Sequence, residues 1–247
     1  MDELAGKTAV VTGGTTGIGY AAAERMIAAG ARVVLTGQNE GRVRDAARTL
    51  DAVGVVVPSQ DVAALDRLTD ELDRIGGGVD VVFANAGVTW PAPFDQVKPE
   101  DFAAQMAINV AGPFFLVQKL SVHLNEGASV IFTTSCLDQM GMHGMAVYAA
   151  SKAALRSLAR TLSAELKDRG VRVNTIAPGP VETPIYAKLG MSEDELAGMA
   201  EGLKGQVPLG RFGSPDEIAK VALFLASDAS SFMLGEEVTV DGGWSNL

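Results

Sequence analysis

One stretch near the N-terminus decides the fold of this chain: Lys7-Thr8-Ala9-Val10-Val11-Thr12-Gly13-Gly14-Thr15-Thr16-Gly17-Ile18-Gly19. Its first half is short, apolar and rich in β-branched residues, which indicates a buried strand of a parallel sheet. Glycines follow at once, and Ile18 to Ala29 then has the alanine-rich composition of a helix that ends at Gly30. The stretch therefore predicts a strand, a tight turn and a helix, the unit from which parallel α/β sheets are built.

The same alternation of strand and helix continues along the chain. After a second strand at Arg32–Thr36, further strands are predicted at Gly54–Pro58, Val79–Ala84, Ser129–Thr134, Arg172–Ala177 and Glu237–Val240. Helices are predicted between them at Gly41–Leu50, Ala63–Ile75, Pro99–Leu124, Tyr148–Arg169 and Pro215–Ala226. The alternation indicates an α/β fold: a doubly wound parallel sheet of about seven strands, of Rossmann type, with helices on both faces.

Nothing in the composition divides the chain into parts. Its 247 residues contain no linker rich in Pro, Gly or Ser and no short-period repeat, so we expect one domain over residues 1–247. The segment Gly179 to Arg211 departs from the alternation, since prolines interrupt it and only Glu193–Gly202 is helical in pattern. An excursion of that length from a compact sheet is usually a binding loop. We therefore expect a substrate lid at about 179–211.

The chain is acidic, with 30 Asp and Glu residues against 20 Lys and Arg and a formal net charge of −10. A nucleic-acid partner would require a basic face to neutralise phosphates, so we expect none. No apolar run is long enough to cross a bilayer, and the N-terminus lacks the basic start and apolar stretch of a signal peptide. A single cysteine, Cys136, excludes an intrachain disulfide. These features predict a cytoplasmic protein without a membrane partner.

The glycines of the first turn have distinct predicted tasks. Gly13 permits a sharp turn after the strand, Gly17 lets the backbone approach a pyrophosphate, and Gly19 lets the helix pack close to the sheet. The free N–H groups at the start of that helix would then face the phosphates. An ordinary glycine-rich turn is the alternative, and the strand before it and the helix after it favour the nucleotide site.

Further short motifs follow this turn in order along the chain. They are Asp61-Val62, Asn85-Ala86-Gly87, Tyr148-Ala-Ala-Ser-Lys152, Pro178-Gly179 and Val240-Asp241-Gly242-Gly243. Together with Thr12-Gly-x-x-x-Gly17-Ile-Gly19, this order resembles the short-chain dehydrogenase/reductase family over essentially the whole chain. The resemblance implies an NAD(P)-dependent oxidoreductase that transfers a hydride between a nicotinamide cofactor and a carbonyl or secondary alcohol.

The resemblance also implies a dinucleotide site at the carboxyl ends of the strands. Two residues of these motifs also have simpler interpretations. Asp61 could cap the next helix, and Asn85 could be a turn residue that tolerates a left-handed backbone. Their places after strands favour the nucleotide. Val181 and Thr183 are implied to lie beside the nicotinamide carboxamide. The implied cofactor-binding residues are Gly13, Thr15, Thr16, Gly17, Ile18, Gly19, Gly37, Gln38, Asp61, Val62, Asn85, Ala86, Gly87, Tyr148, Lys152, Pro178, Gly179, Val181 and Thr183.

The choice between the two dinucleotides depends on the end of the second strand. An acidic residue there accepts the ribose hydroxyls of NAD, whereas a basic residue suits the extra phosphate of NADP. Gly37 occupies the place of the acid, and Gln38 occupies the place of the base. Thr36, Gln38 and Asn39 could bond a phosphate and Arg42 could reach it, so NADP is favoured and NAD remains an alternative.

Tyr148 is the candidate acid–base residue. Hydride transfer to a ketone creates alkoxide character on the oxygen, which requires a proton donor. A free tyrosine has a pKa near 10, and the ammonium of Lys152, one helical turn along, favours its phenolate. The resemblance assigns Lys152 to the nicotinamide ribose as well, Ser135 to the substrate oxygen, and Asn109 to a water that completes a proton relay. No metal site is expected, since two histidines so placed do not make one.

The substrate pocket is expected to be apolar. The loop from Cys136 to Val147, the segment from Val88 to Phe94 and the lid supply its predicted lining: Leu137, Met140, Met142, Met145, Trp90, Ile185, Tyr186 and Leu189. Several of these are equally explained as core or subunit-contact residues. The set suits a small apolar or aromatic ketone, and methionines adapt to varied shapes.

Other functions remain open at this point. A 3-oxoacyl-carrier-protein reductase would want basic residues for an acidic carrier, and Lys188 and Arg211 are candidates in an otherwise acidic lid. A non-catalytic dinucleotide sensor usually lacks the tyrosine or the lysine. Thiol chemistry at Cys136 would need a base such as His143. The resemblance also implies a homotetramer.

Overall fold

A computed structural model describes residues 3–184 and 192–247 of the chain. Its strands are β1 (Thr8–Val11), β2 (Arg32–Gly37), β3 (Val53–Val56), β4 (Val79–Ala84), β5 (Leu124–Thr133), β6 (Arg172–Pro178) and β7 (Glu237–Val240). They form one sheet in the order β3-β2-β1-β4-β5-β6-β7, and each neighbouring pair is parallel. The predicted seven-stranded parallel sheet is confirmed.

Helices cover both faces of this sheet. They are α1 (Gly17–Ala28), α2 (Glu40–Leu50), α3 (Leu65–Ile75), α4 (Pro99–Met106), α5 (Gly112–Leu120), α6 (Ala146–Leu166), α7 (Glu193–Lys204) and α8 (Pro215–Ala226). One hydrophobic core joins α1, α2 and α8 to the sheet, and a second joins α3, α5 and α6 to its other face. Neighbouring residues of β1 face opposite cores, Val10 one and Val11 the other, as the two-residue period of a strand requires.

The order of the strands reverses between β1 and β4. The chain runs outward from β1 through β2 to β3, then crosses back to β4 and continues in the other direction. In open parallel sheets, ligands bind outside the carboxyl ends of the strands at such a reversal. The turns that follow β1 and β4 therefore share the expected binding edge.

The long helix predicted at Pro99–Leu124 is wrong in two places. A π-helical turn at Ala107–Ala111 separates α4 from α5, and β5 begins at Leu124, where Leu124 pairs with Val79 of β4. Pairing with a neighbouring strand outweighs the helical pattern of the sequence at that end. Gly112 lies in tight contact with the carbonyl of Ser59, so a residue with a side chain would not fit there.

The predicted lid is described in part. Its helix is present as α7, two residues longer than the Glu193–Gly202 pattern indicated. Ile185, Tyr186, Lys188 and Leu189 lie outside the described residues. Across residues 3–184 and 192–247, no helix has both the length and the apolarity needed to span a membrane.

The close approach of α1 to the first turn is testable through Gly19. A Cβ on Gly19 would overlap the Gly13 carbonyl and lie 2.6 Å from Asn85 Nδ2. We expect Gly19→Ala to lower the free energy of unfolding by about 1–3 kcal/mol, as overpacking typically does. Urea denaturation followed by circular dichroism measures this.

Gly41→Ala is the matched control, because a Cβ there would meet only Asn39 Oδ1 at 3.5 Å and Arg44 Nη2 at 3.9 Å. Alanine inside a helix is favoured over glycine, so this variant should be as stable as the parent or more so. Equal stability of both variants would contradict the role assigned to Gly19.

Candidate active site

One cleft of about 320 Å³ runs along the carboxyl ends of the strands. It brings together most of the residues that the sequence singled out for the cofactor and the chemistry. The predicted residues in its lining are Gly13, Thr15, Thr16, Gly17, Ile18, Gly37, Gln38, Asn85, Ala86, Gly87, Ser135, Tyr148, Lys152, Pro178, Gly179, Val181 and Thr183. Gly19, Asp61, Val62 and Asn109 lie outside this lining.

The glycine turn after β1 requires backbone conformations that glycine adopts easily. Gly13 has a φ of 64° and Gly17 a φ of 56°, in the left-handed region that residues with a Cβ adopt only at a cost. A Cβ on Gly13 would also lie 3.1 Å from Ala86 Cα. The turn therefore leaves the start of α1 open to the cleft, with Gly17 and Ile18 in its lining, a favourable arrangement for phosphate groups.

Thr12 ties this turn to the one after β4. Its hydroxyl accepts hydrogen bonds from the backbone N–H groups of Asn85, at 3.0 Å, and Ala86, at 3.1 Å. The Asn85 amide donates to the Thr12 carbonyl at 3.2 Å, and its Oδ1 accepts from the Thr133 hydroxyl at 3.3 Å. Asn85 thus joins the ends of β1, β4 and β5, and its φ is not in the left-handed region.

The Asp61 side chain has a structural role beside the cleft. Its Oδ1 accepts a hydrogen bond from the Ala64 N–H at 3.1 Å, so the side chain caps the turn that leads into α3. Ser59 and Gln60 line the cleft at this point. The sequence carried no signal for those two residues, because they precede the motif that resembled the family.

Lys152 is the buried cation of the site. Its side chain is 3% exposed, and Nζ donates to the Thr133 carbonyl at 2.7 Å. Nζ lies 5.7 Å from the centre of the Tyr148 ring. Burial lowers the pKa of Lys152 to about 8, and the carboxylate of Asp138 acts in the opposite direction. The ammonium therefore remains mostly charged at neutral pH beside the tyrosine.

Asn109 braces the wall of the cleft from behind. Its Oδ1 accepts from the Val88 N–H at 2.9 Å, and its Nδ2 donates to the Val88 carbonyl at 2.9 Å and to Ser151 Oγ at 3.0 Å. Ser151 Oγ donates in turn to the Tyr148 carbonyl at 2.7 Å. Asn109 lies in the π-helical turn and is fully buried, so it fixes the loop after β4 relative to the start of α6.

Gly87 leaves room for two polar atoms at the centre of the site. A Cβ on Gly87 would lie 3.3 Å from both Asn109 Oδ1 and Lys152 Nζ. These contacts are tight, and an added side chain would press on the buried ammonium. The absence of a side chain at this position keeps the cleft open above Lys152.

Ser135 stands at the end of β5, at the start of a short 3-10 turn. Its Oγ accepts a hydrogen bond from the Leu137 N–H at 3.2 Å and caps the turn Cys136–Asp138. The hydroxyl proton of Ser135 is not used in this hydrogen bond, so it can be donated to another acceptor. Ser135 and Tyr148 both line the same end of the cleft as Lys152.

Cys136 follows Ser135 in the lining but is not poised as a nucleophile. Burial, followed by the nearby Asp241 carboxylate, raises the pKa of its thiol to about 12. Thiolate is the reactive form of cysteine, so thiol chemistry at this position is disfavoured. No cluster of three His, Cys, Asp or Glu side chains suited to a metal ion occurs in the part of the chain that the structure describes.

The charged side chains of the lining are positive. Among residues 3–184 and 192–247 they are Arg42 and Lys152, and none of the lining residues there is a carboxylate. A dinucleotide carries negative phosphates, so the residues present fit such a ligand in charge as well as in backbone shape. Arg42 lies at the end of the cleft formed by Gly37, Gln38 and Asn39.

The cleft also has apolar side chains in its lining. Leu137, Met142 and Met145 line it as predicted, whereas Trp90 and Met140 do not. Leu203 of α7 and Trp244 near the C-terminus also line it, and the sequence reasoning did not assign Trp244. No local pattern marks that residue, because the fold alone carries the C-terminal segment to the cleft.

The chain is similar to known oxidoreductases over almost its whole length. A family model described as Enoyl-(Acyl carrier protein) reductase matches residues 13–245. The oxidoreductase asL5 of Sarocladium schorii is 38% identical over 251 residues, covering 100% of this chain and 99% of that protein. The NADP-dependent (R)-specific alcohol dehydrogenase of Lentilactobacillus kefiri is 34% identical over 256 residues, covering 99% and 98%. The crystal structure of a dehydrogenase/reductase from Sinorhizobium meliloti 1021 has a TM-score of 0.90 at 32% identity, covering 99% and 96%.

The chain belongs to the short-chain dehydrogenase/reductase family. The resemblance found in the order of its motifs is confirmed. As a member of that family it is an NAD(P)-dependent oxidoreductase.

Proposed function

We propose that this protein is a carbonyl reductase or alcohol dehydrogenase that prefers NADP and acts on neutral apolar or aromatic ketones or the corresponding secondary alcohols. The observation that carries the proposal is that Tyr148, Lys152 and Ser135 line one cleft together with the apolar Leu137, Met142 and Met145 and with Arg42. Such a cleft offers a proton donor to a carbonyl substrate and an anion site to the phosphates of a dinucleotide bound beside it.

The residues divide the chemistry between them. A bound nicotinamide dinucleotide supplies or accepts the hydride. In the reductive direction the Tyr148 hydroxyl donates its proton to the carbonyl oxygen as that oxygen gains negative charge. Lys152 favours the resulting phenolate through its ammonium, and the Ser135 hydroxyl donates a hydrogen bond to the same substrate oxygen. Oxidation of an alcohol uses the same groups in reverse, with Tyr148 as the base.

The cofactor-binding residues are proposed from their places in the cleft. The turn after β1, with Gly13, Thr15, Thr16, Gly17 and Ile18, would hold the pyrophosphate, while Lys152 and Tyr148 would contact the nicotinamide ribose. Val181 and Thr183 would lie beside the carboxamide. Thr183 Cγ2 comes within 3.2 Å of where a Gly17 side chain would begin, which places the segment after β6 over the phosphate turn.

Preference for NADP follows from charge at the end of β2. A 2′-phosphate there would meet Arg42 and the amides of Gln38 and Asn39, with no carboxylate in the lining to repel it. Charge-assisted hydrogen bonds to phosphate are about twice as strong as neutral ones. NAD is the alternative, because its ribose hydroxyls could bond the same amides.

A 3-oxoacyl-carrier-protein reductase is the nearest alternative activity. An acidic carrier would need free basic residues at the mouth of the cleft. Arg211 is paired with Glu217 through contacts of 2.9 and 2.7 Å, and Glu201 pairs with Lys204 at 2.7 Å, so these cations are already engaged. Initial rates with a panel of ketones and with an acyl-carrier substrate would distinguish the two activities. A dinucleotide sensor would turn over neither.

The segment 179–211 is proposed to act as a lid. Leu203 of α7 lines the cleft, so a ligand in the cleft would contact this helix. We expect α7 to exchange its amide hydrogens more slowly when dinucleotide is bound. Equal exchange with and without dinucleotide would count against a lid.

The proposed assembly is a cytoplasmic homotetramer. Ala153 and Ser157 of α6 are exposed small residues, and Phe102 of α4, a helix that packs beside α6, is 47% exposed. Such a surface permits a second copy to pack closely. Sedimentation equilibrium measures the mass in solution, and a monomer would exclude this assembly.

The acid–base role predicts different outcomes for two substitutions. Tyr148→Phe keeps the ring and removes the hydroxyl, so folding and dinucleotide binding should survive while turnover falls about a hundredfold to ten-thousandfold, the usual contribution of acid–base catalysis. Lys152→Met should lower turnover and weaken dinucleotide binding, because its ammonium would serve both tyrosine and ribose. Turnover and cofactor Kd are measured for both variants. A folded Tyr148→Phe protein with near-parental turnover would exclude the mechanism.

The cofactor preference is tested most directly at Arg42. Arg42→Gln should lower the ratio of kcat/KM with NADP to that with NAD by about ten- to a hundredfold, the worth of a hydrogen bond to a charged group. Arg44→Gln is the matched control, since Arg44 is on the same helix, is 72% exposed and lies outside the lining. An equal ratio in both variants would exclude Arg42 from phosphate binding.

An acid introduced at Gly37 should move preference toward NAD, but only if it fits. A Cβ there would lie 2.8 Å from Thr15 Cγ2 and 3.1 Å from Val43 Cγ2. We therefore expect the effect in the pair Gly37→Asp with Thr15→Ser, in which the nearest methyl group is removed. Thr15→Ser alone is the control, and kcat/KM with each dinucleotide gives the result.

A further inference from the structure

The turn that follows Ser135 is held in place by the carboxylate of Glu237, a residue of β7. Glu237 Oε1 accepts from the Thr134 hydroxyl at 2.7 Å, and Glu237 Oε2 accepts from Gln139 Nε2 at 2.8 Å. Thr134 directly precedes Ser135, and Gln139 directly follows the turn Cys136–Asp138. The Glu237 side chain is therefore hydrogen-bonded to the residues at both ends of the active-site turn.

The same carboxylate also reaches the helix of Tyr148 and Lys152. Arg156 Nε lies 2.9 Å from Glu237 Oε2. Tyr148, Lys152 and Arg156 follow one another at intervals of one turn on α6. The Glu237 side chain is 5% exposed, whereas Gln139 is exposed and the Arg156 side chain is 37% exposed, so the carboxylate itself is largely removed from water. Glu237 thus connects the serine turn to the helix that carries the proton donor.

Asp138 is a second acid at this place, and it lacks the donors that Glu237 has. Both of its carboxyl oxygens are shielded from solvent and receive no hydrogen bond within the described residues. Burial and the neighbouring Glu237 carboxylate raise the pKa of Asp138 to about 7. The Arg156 guanidinium and the Gln139 side chain act in the opposite direction. The neutral acid is therefore the favoured form below pH 7, and it can donate its proton to a neighbour.

We propose that Glu237 is a positioning residue for the Ser135 hydroxyl. We further propose that the protonation state of Asp138 decides how firmly Glu237 holds the turn Cys136–Asp138. As a neutral acid, Asp138 donates a hydrogen bond to the Glu237 carboxylate. As a carboxylate, Asp138 repels Glu237 across a sheltered space, and the turn loosens. The inference rests on the proposed function, in which Ser135 bonds the substrate oxygen.

The surrounding charges set the direction of the effect. Asp138 faces Glu237 from β7 and Arg156 from α6, it acts on Lys152 of α6, and Cys136 is the titratable neighbour in its own turn. Because its pKa is above the ordinary value for aspartate, the stabilisation from the neutral acid is complete in acid solution and is lost as the pH rises through about 7. The turn is therefore held most firmly below pH 7.

The first test is Glu237→Gln. The amide keeps the volume and can still accept from Thr134, but its NH₂ group would face the donors of Gln139 and Arg156. We expect kcat for ketone reduction to fall about ten- to a hundredfold, as misplacement of a catalytic group does. Dinucleotide Kd should remain as in the parent, because the phosphate turn is elsewhere.

A readout independent of turnover is built into the turn. Cys136 is the single cysteine of the chain and is 1% exposed, so its rate of labelling by a thiol reagent such as DTNB reports opening of the turn. Labelling should be severalfold faster in Glu237→Gln than in the parent at the same pH. Glu236→Gln is the matched control, since its side chain is exposed on the neighbouring position.

Asp138→Asn tests the proposed effect of Asp138 protonation on the turn. Its amide donates to Glu237 at every pH, as the neutral acid does below pH 7. Because the Asp138 carboxylate also raises the pKa of the Cys136 thiol, this variant is followed by hydrogen exchange of the Leu137 amide, which donates to Ser135 Oγ. Exchange should match the parent at pH 6 and be slower than in the parent at pH 8. The decline of the parent's kcat/KM between these pH values should be reduced in the variant.

The outcomes separate the two ideas. If Glu237→Gln behaves as Glu236→Gln in both labelling and kcat, or if the Leu137 amide of Asp138→Asn exchanges as fast as that of the parent at pH 8, the inference is overturned. If labelling changes as expected while the parent reduces no ketone, the hold on the turn is supported and the proposed function fails.

Discussion

The tight contact between the first turn and α1 is the constraint on which the site depends. Gly19 must approach the Gly13 carbonyl and the Asn85 amide more closely than a side chain allows, and only then does α1 point its open N–H groups at the cleft. The Thr12 hydroxyl holds the turn after β4 against the same place through the N–H groups of Asn85 and Ala86. Two turns from distant parts of the sequence thereby become one surface for a nucleotide.

A buried cation is the second feature on which the proposed mechanism depends. Lys152 is removed from water, which disfavours its charged form, and the Thr133 carbonyl offsets part of that penalty with a bond of 2.7 Å. The result is an ammonium whose pKa is lowered to about 8 and which stands beside Tyr148. Because this ammonium is removed from water, its interaction with the negative charge that the proposed reaction develops would be weakly screened.

The proposed catalytic groups are supported by polar side chains that lie outside the lining of the cleft. Asn109 fixes the loop after β4 through Val88 and reaches α6 through Ser151. On the far side, Glu237 joins the serine turn to α6 through Arg156. Substrate-contacting groups need such support, because small displacements at a reacting centre reduce the rate strongly.

The sequence by itself determined the alternation of strands and helices, the seven-stranded parallel sheet, the lengths of β4, β7 and α8, and the family. Those features follow from local signals: the period of apolar residues, the placement of glycine and proline, and short motifs whose residues are close in the chain.

Only the tertiary structure decided the rest. Asp61 caps a turn, Ser59 and Gln60 line the cleft in its place, and a side chain at Gly37 would meet Thr15. The pairing of Thr134 with Glu237 joins residues 103 positions apart. Such contacts depend on the order in which strands lie side by side and on how closely the helices approach them. No local pattern of residues encodes either quantity.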